Sequence, residues 1–126
     1  MQDKETMLGH EVPQEDYGKL ETFPVSAPVH IEFSTEELQA LCPGVQGIQP
    51  DLYKASISYT AVTHAIESKS LKLWLVTFRD ERIYAEHLAV KLYNHITELK
   101  PKVEDIYIHL EQNIRGGIIT SVKYPT

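Results

Sequence analysis

Cys42, the only cysteine of the chain, stands before Pro43-Gly44 in a loop, and Asp51 follows nine positions later. A loop thiol is more accessible than one inside a packed stripe, and a carboxyl returning beside it can donate a proton. That pair fits nucleophilic chemistry. The plainer roles are a small packed hydrophobe for Cys42 and a turn cap after proline for Asp51. Further on, Glu67-Ser68-Lys69-Ser70-Leu71-Lys72-Leu73-Trp74 sets Lys69 and Lys72 three apart at a helix start. The helix dipole repels cations there, so the lysines suit a bound phosphate, or else are ordinary surface lysines. Glu86, at the start of a second helix, can accept two parallel N–H bonds from an amino-pyrimidinone edge, or serve as a first-turn glutamate. Arg115-Gly116-Gly117 offers a guanidinium beside glycines that allow close approach to a phosphate, or a plain hairpin turn. Six histidines (His10, His30, His64, His87, His95 and His109) are scattered over strands and helices. His87 and His95 are two helical turns apart, too far to share an ion, so no metal is expected.

These residues need elements to hold them. Residues 1–22 lack apolar periodicity and read as a flexible arm, with the folded domain spanning 23–126. Val29, Ile31 and Phe33 alternate with His30 and Glu32, a strand after two prolines. Ser34-Thr35-Glu36-Glu37-Leu38 has the form of a helix start and predicts one short helical turn. Asp51 is then expected just before a second strand, in which Tyr53, Ala55, Ile57 and Tyr59 alternate with polar residues. From Ser68, the expected N-cap, the period becomes helical through Leu71, Trp74, Leu75 and Phe78. A second helix is predicted over about 82–99 on Leu88, Leu92, Ile96 and Leu99, closed by Pro101. Residues 106–111 and 118–124 alternate as two further strands around Gly116-Gly117. The order is ββααββ: an α+β unit with a four-stranded antiparallel sheet and both helices on one face. Its open sheet edges would be closed by self-association.

Composition sets the outer limits. At 126 residues with 42% hydrophobic and 24% charged residues, the chain fits one globular domain. No run reaches the ~20 apolar residues of a membrane helix. The polar, partly acidic N-terminal residues predict no export signal, and with one cysteine a reducing cytoplasm is expected. A net charge of −6 argues against a stable nucleic-acid partner.

Taken together, these motifs resemble the QueF family, the NADPH-dependent 7-cyano-7-deazaguanine reductases (nitrile reductases) of queuosine biosynthesis. The run from Glu67 to Trp74 resembles the family signature. Leu20-Glu21-Thr22-Phe23-Pro24, Leu41-Cys42-Pro43, Gln49-Pro50-Asp51, Ile57-Ser58-Tyr59, Phe78-Arg79, Glu86 and Arg115-Gly116-Gly117 fall where the family has them. The resemblance covers residues 20–124 and implies the tunnelling fold shared with GTP cyclohydrolase I, in its unimodular form. It also implies cyclic homo-oligomers with active sites between subunits. By resemblance, Cys42 attacks the nitrile carbon to give a thioimide, Asp51 protonates the nitrogen, and two NADPH complete the reduction to the aminomethyl product. Glu86 would hold the deazaguanine edge, with Ile66, Glu67, Ser68 and Ala85 around the base. Lys69, Lys72 and Arg115 would meet the NADPH phosphates. Three departures stand out: the Cys42–Asp51 segment is two residues longer than the family pattern and lacks its threonine, and Ala85 occupies a position where the family usually carries histidine. A related archaeal branch uses the same Cys and Asp to form an amidine in tRNA, but lacks the lysine signature kept here. A tunnelling-fold relative that binds a purine or pterin without turnover is a further alternative.

Overall fold

The computed structural model describes residues 17–44, 50–114 and 117–126. Its elements, in chain order, are β1 (Thr22–Pro24), β2 (Val29–Leu41), β3 (Pro50–Ala61), β4 (His64–Ile66), α1 (Ser68–Val76), α2 (Ala85–Thr97), β5 (Val103–Ile114) and β6 (Ile118–Tyr124). The four long strands form one antiparallel sheet in the order β2-β3-β5-β6, and β1 pairs with β4 in a separate two-stranded piece. This is the α+β arrangement that the periodicities predict.

Central β3 follows from strict alternation. Tyr53, Ala55, Ile57, Tyr59 and Ala61 are buried, while the residues between them are exposed or half-buried. The buried row meets Leu71, Trp74 and Leu75 of α1 and Leu88, Leu92 and Ile96 of α2 in one core. Trp74 packs edge-on against Phe78, with ring centroids 5.7 Å apart. The opposite sheet face is polar: Ser56 donates to Glu32 (2.7 Å), and His109 and Ser121 are hydrogen-bonded across β5 and β6 (2.6 Å). One packed face and one polar face is the usual solution for an antiparallel sheet.

The helical turn expected at 34–38 is not formed. β2 runs on through Leu41, with a bulge in which Thr35 pairs with Ala55 and Leu38 with Tyr53, so that Glu36 and Glu37 together oppose Lys54. The cap-like signal is answered locally, since the Thr35 hydroxyl accepts from the Glu37 N–H at 3.1 Å. Pairing with β3 outweighs one turn of helix. The extra residue also switches the alternation. Ile31 and Phe33 lean on the core before the bulge, whereas Leu38 and Ala40 are buried after it. Asp51 is likewise inside β3, opposite Ala40, rather than ahead of it.

Both helices begin differently from expectation. Glu67, not Ser68, caps α1. The second helix starts at Ala85 because Arg82 forms a parallel bridge with Leu41, which keeps that stretch extended. It ends at Thr97 rather than at Leu99, and a turn of 3.3 and 2.9 Å backbone bonds follows. Within the expected arm, residues 1–16 lie outside the described residues. Leu20 packs on the core, and Glu21 is joined to the start of α1: Glu67 N–H donates to its carbonyl (2.8 Å), and its own N–H donates to the Ser70 hydroxyl (3.0 Å).

Candidate active site

Cys42 leaves the end of β2 half-buried with a free thiol. Its position is fixed by the backbone before it. Leu41 N–H donates to Glu81 O (2.8 Å) and Ile83 N–H donates to Leu41 O (3.1 Å). Arg82 adds a longer bond from Nη1 to the Cys42 carbonyl (3.4 Å). The same three residues lead directly into Tyr84, the residue before α2, whose carbonyl accepts from His87 and Leu88. One short segment therefore ties the thiol loop to the helix turn that carries Ala85 and Glu86. Gly44 fits closely here: a Cβ would lie 3.3 Å from the Tyr84 hydroxyl and 3.8 Å from Cys42 Sγ.

Asp51 approaches from the neighbouring strand. It pairs with Ala40, and Tyr53 pairs with Leu38, so both lie on the core side of β3 close to where β2 ends. The Tyr53 side chain is 1% exposed. Burial raises its hydroxyl pKa well above the ordinary phenol range, and the charges of Asp51, Cys42 and Glu86 add to the effect in that order. The fold thus brings three of the sequence-derived residues, from three different segments, to the same end of the sheet as this buried phenol. Ala85 is buried beside them at the helix start, while Glu86 is exposed in the single chain.

The second group sits elsewhere. Ile66, buried, donates its N–H to the Tyr59 hydroxyl at 2.8 Å. Glu67 is 6% exposed, and its two carboxylate oxygens accept from Ser70 N–H (2.7 Å) and Lys69 N–H (2.9 Å). Ser70, fully buried, returns a bond from its hydroxyl to the Glu67 carbonyl (2.8 Å). The first N–H groups of α1 are therefore already taken by a carboxylate, so an anion here would be held by side-chain ammonium groups rather than by the helix end. Lys72 is exposed, Lys69 half-buried and Ser68 exposed, and the two lysines one turn apart suit a phosphate. Tyr59, which anchors this group, lies six residues beyond Tyr53, about 20 Å along a strand. The end of this group at residues 66–68 is therefore held far along β3 from Asp51, and the chain runs on through α1 toward Glu81, which is bonded to Leu41. Arg115 and Gly116, like the segment 45–49, lie outside the described residues.

Two features escaped the sequence. Tyr53 reads there as one more member of an apolar row, although its i+2 spacing from Asp51 already places both on one face. The segment 81–84 carries no motif, and its role arises only through pairing with Leu41. A cavity of about 570 Å³ opens on the polar sheet face over the β2 bulge, lined by Glu36, Glu37, Lys54, His109 and Glu111 among others. None of the candidate site residues lines it. Among the described residues, no three His, Cys, Asp or Glu side chains converge as a metal site would require, and no helix is long and apolar enough to cross a membrane.

The two buried tyrosines give the fold a defined alkaline limit. Burial raises the pKa of Tyr59 as well as that of Tyr53 from an ordinary value of 10.0. Above pH 10 the unfolded chain releases these protons while the native chain retains them, so stability falls as pH rises. The expected slope is about 1.4 kcal/mol per pH unit for each tyrosine, up to its native pKa. Urea unfolding between pH 9 and 11.5 should show this decline, shallower in Tyr53→Phe; a level wild-type profile would contradict it.

Comparison with known proteins places the chain among relatives of one kind. A family model described as QueF-like protein matches residues 50–126. The NADPH-dependent 7-cyano-7-deazaguanine reductase of Frankia casuarinae is 36% identical over 114 residues, covering 90% of this chain and 88% of that protein. The protein of the same name from Syntrophus aciditrophicus is 36% identical over 122 residues, covering 94% and 83%. In structure, the apo form of the archaeosine synthase QueF-Like matches with a TM-score of 0.62 at 16% identity, over 79% of this chain and 92% of that one. This last likeness is one of fold, the tunnelling fold.

Proposed function

The chain belongs to the QueF-like family, and from that premise we propose that it reduces the nitrile of 7-cyano-7-deazaguanine to the primary amine with two NADPH, through a thioimide on Cys42. The observation that carries this is the backbone pairing that sets Cys42 at the end of β2 next to Asp51 of β3, which pairs with Ala40, and ties Leu41 through residues 81–83 to the start of α2, which carries Glu86. The Cys42 sulfur forms a bond to the nitrile carbon as one π bond of the nitrile opens. The electron pair moves to nitrogen, which takes a proton from Asp51, and Asp51 is reprotonated by the proton the Cys42 thiol gives up, so that in sum S–H adds across the triple bond. Glu86 accepts two N–H bonds from the amino-pyrimidinone edge, which orients the ring. Ala85 and Ile66 supply apolar surface for the base, Ser68 a hydroxyl, and Glu67 holds the helix start that presents them. NADPH, when bound, supplies the electrons for both reductive steps. Lys69, Lys72 and Arg115 would hold its phosphates, and the lysine pair on α1 fits that charge.

The separation of the two residue groups supports a site shared between copies of the chain. Cys42, Asp51 and Glu86 of one copy would face residues 66–72 of another. The sheet edges favour this. β2 and β6 are both outer strands, and Val29 (45%), Ile118 (62%) and Ile119 (64%) leave apolar surface exposed along them. Repeated edge-to-edge pairing would close a ring of identical subunits.

The activity is tested by mixing protein, 7-cyano-7-deazaguanine and NADPH and following cofactor absorbance. Two NADPH should be oxidised per nitrile consumed. Nitrile consumption without NADPH oxidation, giving an amidine when ammonia is present, would overturn reduction.

A further inference from the structure

Tyr53 holds the one buried side-chain oxygen or nitrogen without a hydrogen-bond partner among the described residues. Elsewhere in the buried interior such groups are served: the Tyr59 hydroxyl accepts from Ile66, and Ser70 and Glu67 satisfy each other. An unpaired buried hydroxyl costs stability, and phenylalanine would fill the same place in the row between Leu38 and Gln112 without that cost. A local rule broken in an otherwise satisfied core points to function. The location agrees. Tyr53 follows Asp51 by two residues on the same face of β3, about 7 Å along the strand, within the span of a phenol leaning toward it. Burial first, and then the nearby acidic groups, raise the pKa of this hydroxyl, so it keeps its proton and is available as a donor.

We propose that Tyr53 is a positioning residue of this site: its neutral hydroxyl donates to one carboxyl oxygen of Asp51 when the nitrile binds, directing the other oxygen and its proton toward the nitrile nitrogen. The assignment rests on the nitrile chemistry proposed above. It explains why a tyrosine occupies a core position, and it gives Asp51 a defined orientation that its place near the strand end alone does not. Ala85 offers no polar group to do so from α2.

Tyr53→Phe tests this with wild type alongside, using nitrile reduction, the rate of adduct formation on Cys42 and thermal unfolding. Removing the hydroxyl should leave Tm equal or higher, since an unpaired polar atom is lost. It should lower kcat and slow the adduct roughly tenfold to a hundredfold, the effect of a misdirected reacting group, with KM for the nitrile changed less than about twofold. Unchanged kcat in an active background would overturn the inference alone. So would a lower Tm with kcat and KM worsening together, the mark of a packing role. A wild type that turns over no nitrile would overturn the proposed function and this inference with it.

Discussion

Cys42→Ala is expected to abolish nitrile reduction, lowering kcat/KM by about 10⁴-fold or more, as loss of a covalent nucleophile does. The fold should survive the change. What fixes Cys42 is main chain, namely the Leu41 and Ile83 hydrogen bonds to the 81–83 segment and the Arg82 bond to the Cys42 carbonyl, and alanine keeps all of these. Ring recognition should survive too, since Glu86 stands on α2 and does not depend on sulfur. The variant is therefore expected to bind 7-cyano-7-deazaguanine with Kd close to that of wild type while turning none over, as calorimetry and the NADPH assay would report. Retained turnover would show that sulfur is not the nucleophile. A wild type that binds the nitrile as tightly as the variant and is equally inert would leave a binding protein instead.

The second large effect concerns the distance between the two residue groups. Lys69→Ala/Lys72→Ala should raise KM for NADPH by roughly a hundredfold or more, at about 1.5–3 kcal/mol per lost charged contact. Alone, this double variant and Cys42→Ala would each be nearly silent at low NADPH. Co-expressed, they should recover activity. If each site takes Cys42 from one subunit and the lysines from the next, random mixing leaves about a quarter of the sites intact in a ring of head-to-tail interfaces. Co-expressed protein that stays as inactive as either variant would place both groups in one subunit. That would contradict a site shared between copies of the chain.

Much of this was legible in the sequence because its signals are periodic. The alternation in β3 and the i, i+3, i+4 stripe of α1 each state which face is buried, and the core follows. Failures came where two signals compete. Ser34-Thr35-Glu36-Glu37 has the chemistry of a helix start, but its neighbours Ile31, Phe33, Leu38 and Ala40 all have partners or core contacts to gain from β3. Only the bulge serves both sides of that conflict. Glu67 displaced Ser68 as the cap because its longer side chain reaches two N–H groups at once. At the site, Cys42, Asp51 and Glu86 are candidates by residue type and by resemblance, whereas the 81–84 segment carries no signal, since a parallel bridge between Leu41 and Arg82 leaves no local pattern. Tyr53 was hidden for the opposite reason. It fits its apolar row so well that only the unserved hydroxyl sets it apart.

Covalent addition of the nitrile to Cys42 is the central claim, and intact mass measures it most directly. Wild-type protein incubated with 7-cyano-7-deazaguanine, without NADPH, should gain the mass of one whole nitrile molecule per chain. Because S–H adds across the triple bond, nothing leaves. The gain should be absent in Cys42→Ala and should disappear from wild type when NADPH is added. A wild-type mass unchanged by the nitrile, under conditions in which NADPH is still consumed on its addition, would contradict the thioimide.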